Sequence, residues 1–433
     1  MQLFGGRVMA GSNAGDARPA GAIAVSARSL APDLARGAML LLIALANACL
    51  YQYGNTALGE GLWLRGGPLA DQVLLLLETI FVRDRAYPMY ALLFGYGIVQ
   101  LLRRHTNKGI DQGTVRRLVR RRGWWMVLIG FGHALLLFWG DIIGAYGLIA
   151  VLFAGVLFRV RDRTLLILSA LWVVPIALFR GFEHRLSPLH EKASATSDLL
   201  HAAVLRVLLW MQGSLIGSVF MLVPAVLLGV WAARRQLLDQ PQRHRKFLGR
   251  AAVLGMGLAV IGGLPWALVR ASWWTPSSDG VALLAGGAHT FSGYTGGVGY
   301  AAIAGLITIR LQRRDRSGAV VSALAACGQR SMTSYLLQSV VFVAVLAAFG
   351  GGLGNRLGLV EIAILATVTW MLTVLLADRM SRRGYRGPAE VLLRRLTYRA
   401  PVVESPLIHV PSARLPVPAD QPAPSPKRWF ARR

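Results

Sequence analysis

The chain has 433 residues, of which 55% belong to the hydrophobic set and only 15% are charged, and its formal net charge is +27. A soluble protein of this size would carry far more charge on its surface, whereas apolar segments that recur from residue 38 to residue 377 are typical of a polytopic membrane protein. The Lys and Arg residues fall in short loops between these segments, which argues against a nucleic-acid-binding protein.

The apolar segments predict an all-α fold, a membrane helical bundle with about ten transmembrane helices. The predicted spans are 38–53, 87–102, 123–140, 142–158, 164–180, 207–232, 251–269, 289–309, 331–349 and 357–377. The segment 68–82 is apolar but short, and it bears Asp71 and Glu78. We therefore expect it to be an interfacial or re-entrant helix.

The distribution of basic residues predicts the orientation. Twenty-one Lys and Arg lie in one alternating set of loops, 103–122, 159–163, 233–250 and 310–316. Only seven lie in the other set, 54–86, 181–203, 270–288 and 350–356. Since positively charged loops stay in the cytoplasm, both termini of this multi-pass membrane protein are predicted to be cytoplasmic. The outer triplet Arg83, Asp84 and Arg85 runs against this trend, which indicates a local ion pair or an anionic ligand if it is not an ordinary loop.

Four regions follow from composition. Residues 1–31 are predicted to be a flexible lead-in and 32–377 a transmembrane helical domain. Residues 378–399 are basic and amphipathic, and we expect them to lie on the anionic cytoplasmic leaflet. Residues 400–433 form a basic, Pro-rich tail that is predicted to be disordered.

The stretch GFGHALLLFWGDIIGAYG, residues 130–147, places His133 and Asp141 in an otherwise apolar region. Ionisable groups are energetically costly in hydrocarbon, so their presence in a membrane segment indicates a functional role. A neutral histidine at this depth suits a general base, and the alternative is a polar residue bonded to a neighbouring helix. Asp141 is either functional or the N-cap of the next helix. On a straight helix the two are separated by a rise of about 12 Å, so contact requires a sharp reversal at Gly140. Both are predicted to border one outward-facing cavity.

The first span carries three polar candidates for substrate binding. Asp33 and Arg36 are three residues apart, so on a helix they face the same side and can pair at the cytoplasmic surface. The alternative is an orienting arginine beside a capping aspartate. Asn47 lies toward the outer half, where an unpaired amide is expensive, so it either bridges helices or faces the cavity of His133.

The segment GQRSMTSYLLQS, residues 328–339, opens the ninth span with unusual polarity. Ser331 is predicted to be its N-cap. The polar residues that follow are Thr333, Ser334, Tyr335, Gln338 and Ser339. Packing accounts for one or two small hydroxyls, whereas a cluster with Tyr335 and Gln338 predicts a polar substrate-binding cavity that is open to the cytoplasm.

These stretches, together with AYPMYALLFGYG and YRGPAEVLLRRLTY, resemble the YeiB-like family of bacterial membrane proteins, which bears a domain-of-unknown-function name. The resemblance covers about residues 32–399. The family usually has leucines where Pro32 and Ala35 stand, and asparagine where Ser334 stands. The resemblance implies a multi-helix membrane domain that is distantly similar to transmembrane acyltransferases, including those that acetylate glucosamine from acetyl-CoA across a membrane.

The leading hypothesis is an inner-membrane acyltransferase. An acyl-thioester donor such as acyl-CoA would approach from the cytoplasmic side near Arg36, and an envelope glycan or lipid acceptor would lose a proton to His133. Asn47 and Asp141 would orient groups nearby. The alternative is a transporter or exporter of a small solute or lipid precursor, and a structural role comes third. The sequence shows no zinc-type spacing, phosphate-binding loop or dinucleotide fingerprint, and membrane lipids are the expected partners.

Overall fold

The computed structural model of the chain describes residues 30–54, 67–157, 159–181, 193–312 and 318–398. Over these ranges every regular element is a helix, which confirms the predicted all-α fold. The α-helices of the described residues are α1 (Leu30–Ala48), α2 (Leu69–Phe81), α3 (Ala86–Thr106), α4 (Gln112–Leu136), α5 (Ile143–Phe153), α6 (Asp162–Gly181), α7 (Leu199–Leu209), α8 (Ile216–Arg234), α9 (Arg245–Arg270), α10 (Asp279–Gln312), α11 (Ala319–Gln329), α12 (Ser331–Leu346), α13 (Leu359–Arg382) and α14 (Pro388–Thr397). The predicted Pro-rich tail, and all of the predicted lead-in except its last two residues, lie outside the described residues.

Membrane-spanning capacity is concentrated in a subset of these helices. By length and composition, five helical stretches in the described part of the chain can cross a membrane: Leu30–Tyr51, Asp162–Arg180, Ile216–Arg234, Pro241–Arg270 and Leu359–Arg382. Four shorter apolar helices accompany them: Ile143–Phe153, Leu199–Gly213, Ala319–Gln329 and Ser331–Leu346. These helices are those of a membrane protein. The count of ten spans and the cytoplasmic placement of the termini stay predictions.

The helices α4 and α5 end four and five residues before the predicted spans 123–140 and 142–158 do, so the predicted ends were wrong, and α4 also begins earlier, at Gln112. α4 ends at Leu136, where Leu137 leaves the helical region with φ −128° and ψ −57°. The N–H groups of Leu137 and Phe138 both donate to the carbonyl of His133, which closes the last turn. Because Phe138 and Asp141 are buried within the protein, this non-helical backbone is shielded from lipid.

Glycines allow α4 and α5 to pack backbone against backbone. A Cβ atom on Gly130 would lie 2.4 Å from both Oδ2 of Asp141 and the backbone nitrogen of Gly144. Real Cβ atoms do not approach so closely, so a side chain at position 130 would push the hairpin apart. The absence of a side chain at Gly130 therefore allows the Asp141 carboxylate to lie against α4.

No predicted element corresponds to α11, which is too short to cross a membrane. α11 packs closely on α1, where a Cβ atom on Gly328 would lie 1.8 Å from the carbonyl oxygen of Asp33. The prediction of Ser331 as the N-cap of α12 was also wrong, since Arg330 occupies that position and makes no side-chain cap. The carboxylate of Glu390, on α14, instead accepts hydrogen bonds from the backbone of Met332 and Thr333 at 2.8 and 3.1 Å. α14 thereby fixes the start of α12.

The short helix α2 is apolar on its exposed side. Its exposed large residues recur at every fourth position: Leu69, Val73, Leu77 and Phe81. Leu75 and Ile80 on the other side are buried. A 13-residue helix with one exposed apolar stripe agrees with the predicted interfacial or re-entrant segment.

The triplet at residues 83–85 forms buried ion pairs instead of an ordinary loop. Asp84 accepts a hydrogen bond from Nη2 of Arg180 at 3.0 Å, and Arg83 pairs with Glu78 at 3.2 Å. Nη1 of Arg85 lies 2.8 Å from Nδ1 of His289. Burial by itself raises the pKa of Asp84, but the charge of Arg180 and its neighbours outweighs burial and holds that pKa below its ordinary value.

Removing this carboxylate is expected to destabilise the protein. Asp84→Asn should lower the free energy of unfolding by about 3 kcal/mol, because it takes the countercharge away from a mostly buried Arg180. Asparagine tolerates the positive φ of 59° at this position, so backbone strain is not involved. Because the pKa of Asp84 is depressed in the folded state, its contribution is complete above about pH 4 and is lost as the pH falls through the folded-state value.

Thermal unfolding of the detergent-solubilised protein at neutral and acidic pH measures both effects. Asp111→Asn is the matched control, since Asp111 is an exposed cap that accepts the N–H of Thr114 and asparagine caps equally well. Equal unfolding midpoints for the Asp84 variant and the unmodified protein at neutral pH would show that the ion pair adds no stability.

Candidate active site

A buried histidine connects three helical segments. His133 lies on the last turn of α4, and its Nδ1 is 2.8 Å from Oδ1 of Asp141 in the reversal before α5. Its Nε2 is 2.9 Å from Oγ of Ser339, halfway along α12. The side chains of His133 and Asp141 have no exposed surface, and Ser339 is 3% exposed. The three groups form a continuous hydrogen-bonded chain inside the protein.

The partners of Asp141 set the direction of each hydrogen bond. Its Oδ2 accepts the backbone N–H of Gly144 at 2.7 Å, and its Oδ1 accepts Nδ1–H of His133. With the ring proton held at Nδ1, Nε2 is the acceptor for the hydroxyl of Ser339. The other contact of that hydroxyl, with the carbonyl of Tyr335, is longer at 3.5 Å. Hydroxyl, imidazole and carboxylate therefore stand in the order that activates a serine nucleophile.

His133 and Asp141 are not separated along one straight helix. The sharp reversal that their contact requires is present, because α4 ends at Leu136 and the chain turns back over residues 137–142. Ile142, and not Asp141, occupies the N-cap position of α5, but Asp141 one residue earlier accepts the N–H of Gly144 in the first turn, as a capping side chain does. Its capping and histidine-orienting contacts therefore occur together, one on each carboxylate oxygen.

Aromatic rings surround the histidine. The ring of Tyr335 meets it edge-on at a centroid distance of 5.1 Å, and Phe138 lies at 6.2 Å. Tyr51 stacks on Phe138 at 5.2 Å. Rings around a buried polar group exclude water, which strengthens the electrostatic interactions inside the site.

A narrow, partly open cleft adjoins these rings. Its lining residues are Tyr51, Leu137, Trp139, Ala193, Ser194, Arg206, Ala347 and Phe349. The hydroxyl of Tyr51 donates to the carbonyl of Leu137 at 3.3 Å and lies within hydrogen-bonding reach of Ser339. Tyr51 thus links the cleft to the hydroxyl of Ser339.

The predicted residues of the first span lie away from this chain of hydrogen bonds. Arg36 pairs with Asp33 at 3.4 Å and donates to the carbonyl of Leu93 at 3.0 Å. Asn47 is half-buried, and within the described residues it makes no hydrogen bond to His133. The structure therefore pairs Asp33 with Arg36 and does not place Asn47 in contact with the histidine.

The two predicted residues of α12 differ in their surroundings. Tyr335 packs directly on His133, as its ring contact shows. Gln338 is 1% exposed, and neither atom of its side-chain amide has a hydrogen-bonding partner among the described residues. An unsatisfied buried amide is costly, which indicates a place for a water molecule or a polar ligand beside Ser339.

Sequence reasoning did not single out Ser339 or Arg206. Ser339 was one of several polar residues at the start of α12, and nothing in its spacing distinguished it from Ser334. Arg206 lies at the edge of a predicted span, where a single basic residue gives no signal. The spatial neighbours of both are remote in sequence, since His133 and Ser339 are 206 residues apart.

The described residues contain no group of three or more His, Cys, Asp or Glu that could hold a metal ion. A buried aspartate holds a histidine, and the histidine holds a serine hydroxyl, which is the arrangement of acyl-transferring and hydrolytic enzymes with a serine nucleophile. Such a geometry recurs on unrelated folds.

Comparison with known proteins shows which family model and which proteins the chain is similar to. Residues 232–400 match the family described as "Protein of unknown function (DUF418)", a region that includes Ser339. The chain is 25% identical over 408 residues to the uncharacterized protein YxaH of Bacillus subtilis (strain 168), covering 84% of this chain and 93% of that protein. It is also 25% identical over 400 residues to the uncharacterized protein YeiB of Escherichia coli (strain K12), covering 86% and 97%. The matches agree with the resemblance found in the sequence motifs: the chain is similar to two uncharacterized proteins over most of its length, and its residues 232–400 match the DUF418 family model.

Proposed function

We propose that this protein is a membrane acyltransferase that uses Ser339 as its nucleophile. The observation that carries the proposal is the hydrogen-bonded chain from Ser339 through His133 to Asp141. If the polar side chains served only to hold two helices together, one hydrogen bond between two of them would suffice. Here a buried carboxylate fixes the tautomer of the histidine, and the basic nitrogen faces a hydroxyl. Those are the requirements for activating a serine.

The reaction proceeds in two halves. Oγ of Ser339 attacks the carbonyl carbon of an acyl thioester, and its proton moves to Nε2 of His133. The C–S bond then breaks, and the departing thiolate takes that proton. In the second half, an acceptor hydroxyl or amine gives its proton to Nε2 and attacks the acyl-serine ester, and Oγ of Ser339 leaves with the proton. Asp141 stabilises the imidazolium that forms in each half.

The two substrates approach from opposite sides. On the cytoplasmic side, the guanidinium of Arg36 is 24% exposed, and its charge suits a donor that carries phosphate groups, such as acyl-CoA. The buried amide of Gln338 supplies polar contacts next to Ser339. On the outer side, the cleft beside Tyr51 receives an extracytoplasmic glycan or lipid acceptor. The bacterial inner membrane is the location that fits this arrangement.

Labelling with a fluorophosphonate tests the nucleophile. Such probes phosphonylate serine hydroxyls that are activated by a neighbouring base. In the purified protein we expect modification of Ser339, identified by peptide mass spectrometry. His133→Ala should slow it by about 100-fold or more, because the base is gone.

Ser334→Ala is the matched control. Ser334 is equally buried on the same helix, but its hydroxyl contacts Sγ of Cys327 instead of the histidine. This variant should label at the rate of the unmodified protein. Labelling of Ser339 at the same rate with and without His133 would exclude the histidine as its activating base.

A further inference from the structure

One arginine of the cleft is buried, and no carboxylate of the described residues forms an ion pair with it. Arg206, on α7, is 4% exposed, and its Nε and Nη2 both donate to the carbonyl of Leu135, at 3.3 and 2.8 Å. The guanidinium also lies over the ring of Phe349, 4.8 Å from the ring centroid. Its remaining nitrogen, Nη1, is buried and has no hydrogen-bonding partner in the part of the chain that the structure describes.

The arrangement differs from that of another buried arginine in the protein. Nη1 of Arg270 meets the carboxylate of Glu78 at 2.9 Å, so its charge is compensated by an acid. Arg206 caps the end of α4, where the helix dipole supplies only a partial negative charge. A buried cation with one unsatisfied donor is costly, and a bound anion would both balance the charge and satisfy Nη1.

The cleft places this cation near the reacting hydroxyl. Arg206 holds the carbonyl of Leu135, two residues beyond His133, and Tyr51 holds the carbonyl of Leu137. The same tyrosine lies within reach of Ser339. As it stands, the cleft has room for about one water molecule, so a larger group must displace side chains or reach Nη1 with only its oxygen atoms.

The exposed side of α7 is apolar. Leu200, Val204 and Leu208 recur at every fourth position and are 76%, 49% and 47% exposed, while Arg206 lies on the buried side. In a membrane protein, an exposed apolar stripe of this kind contacts lipid tails. The cleft thus lies just inside a helix with a lipid-facing side, where a lipid headgroup can reach it.

We propose that Arg206 forms an anion subsite and that the acceptor of the acyl group carries an oxyanion, a phosphate or a carboxylate, bound at Nη1. The inference rests on the proposed function, because the subsite matters for catalysis only if Ser339 carries the acyl group. The oxyanion comes either from a lipid headgroup or from a soluble molecule, and both sources share the chemistry that Arg206 recognises.

Protection of Ser339 from the fluorophosphonate tests the subsite. The competing probes are dihexanoyl phosphatidic acid, inorganic phosphate and the neutral dihexanoylglycerol. In the unmodified protein we expect phosphatidic acid to protect at concentrations at least about tenfold lower than dihexanoylglycerol does, since only the first offers a charge to Arg206. Arg206→Gln should abolish this ratio. Arg235→Gln, which changes an exposed arginine outside the cleft, should keep it.

The competing probes also distinguish the source of the anion. Protection by phosphatidic acid but not by inorganic phosphate supports a lipid headgroup, whereas equal protection by both supports a soluble anion. Equal protection by the charged and neutral lipids in the unmodified protein overturns the proposal. So does an undiminished ratio in the Arg206 variant. If Arg206→Gln does not fold, Arg206→Lys is the second variant, and its ratio of protection by the charged over the neutral lipid should be reduced several-fold. The planar guanidinium of arginine can donate to the Leu135 carbonyl and to an oxyanion through different nitrogens, whereas lysine has a single ammonium group.

A second readout separates failure of the subsite from failure of the proposed nucleophile. Phosphatidic acid should raise the thermal unfolding midpoint of the unmodified protein but not that of Arg206→Gln. If Ser339 is never labelled but this stabilisation is observed, the anion subsite stands and the serine mechanism does not. If Ser339 is labelled and the charged lipid gives neither protection nor stabilisation, the serine mechanism stands and the subsite does not.

Discussion

Replacing Ser339 with alanine is expected to reduce ester cleavage by at least about 10³-fold while the protein stays folded and inserted. The substitution removes the only hydroxyl that the structure places on Nε2 of His133 within the described residues. It deletes one small oxygen from a packed site, so the effect on folding should be mild. The loss should appear in kcat, because the covalent step itself is removed.

Turnover of p-nitrophenyl butyrate and of acetyl-CoA by the detergent-purified protein measures this effect. Ser334→Ala is again the control and should keep both activities. If Ser339→Ala retains activity and His133→Ala loses it, then the histidine acts directly on the acceptor or on water, without an acyl-serine intermediate. That outcome would contradict the mechanism proposed here and would leave His133 as the general base.

The second large effect is expected from Asp141→Asn. The carboxamide oxygen can still accept the N–H of Gly144, but its NH₂ group would then face Nδ1 of His133. The ring must respond by carrying its proton on Nε2, where it can no longer accept the proton of Ser339. In serine proteases the equivalent change costs about 10⁴-fold. We expect a loss of at least about 10³-fold in kcat.

The same assays and the thermal unfolding midpoint distinguish this role from capping alone. Asp111→Asn makes the same chemical change at the cap of α4, where asparagine also accepts the N–H of Thr114, and it should leave activity intact. An Asp141 variant that unfolds at a lower temperature but keeps its activity within tenfold would mean that Asp141 only caps α5.

Much of the site was visible in the sequence because burial of polar groups in apolar segments is costly. His133 and Asp141 could be selected on that ground, and so could the polar start of α12 that contains Tyr335. Their chemistry could be anticipated, too, since a neutral histidine suits a general base. In these cases the sequence shows the energetic cost of burying each polar residue by itself. It does not show which residues contact one another.

The contacts themselves depend on where the backbone stops being helical. Apart from His133, the segment 123–140 is apolar, so its composition carries no signal that the helix ends at Leu136. That end is what brings His133 and Asp141 together. The approach of α4 and α5 also depends on the absence of a side chain at Gly130, which a hydropathy pattern does not weigh.

The contacts made by residues of other helices could not be predicted for a different reason. Ser339 meets His133 across 206 residues of sequence, and Glu390 fixes the start of α12 from 57 residues beyond Thr333. α11 was missed because eleven residues rich in alanine form neither a span nor a clear amphipathic pattern. Long-range pairing of this kind is determined by packing, so the ten-span prediction placed the helices approximately and could not predict which side chains meet.

Mass spectrometry of envelope glycans and lipids would test the central claim most directly. The comparison needs a host strain without the gene and the same strain complemented with the intact protein or with Ser339→Ala at matched membrane abundance. The proposed function predicts an acylated species that appears only with the intact protein and is heavier than its precursor by one acyl group. Identical acyl profiles in all three strains, or an acylated species restored equally by the alanine variant, would contradict it.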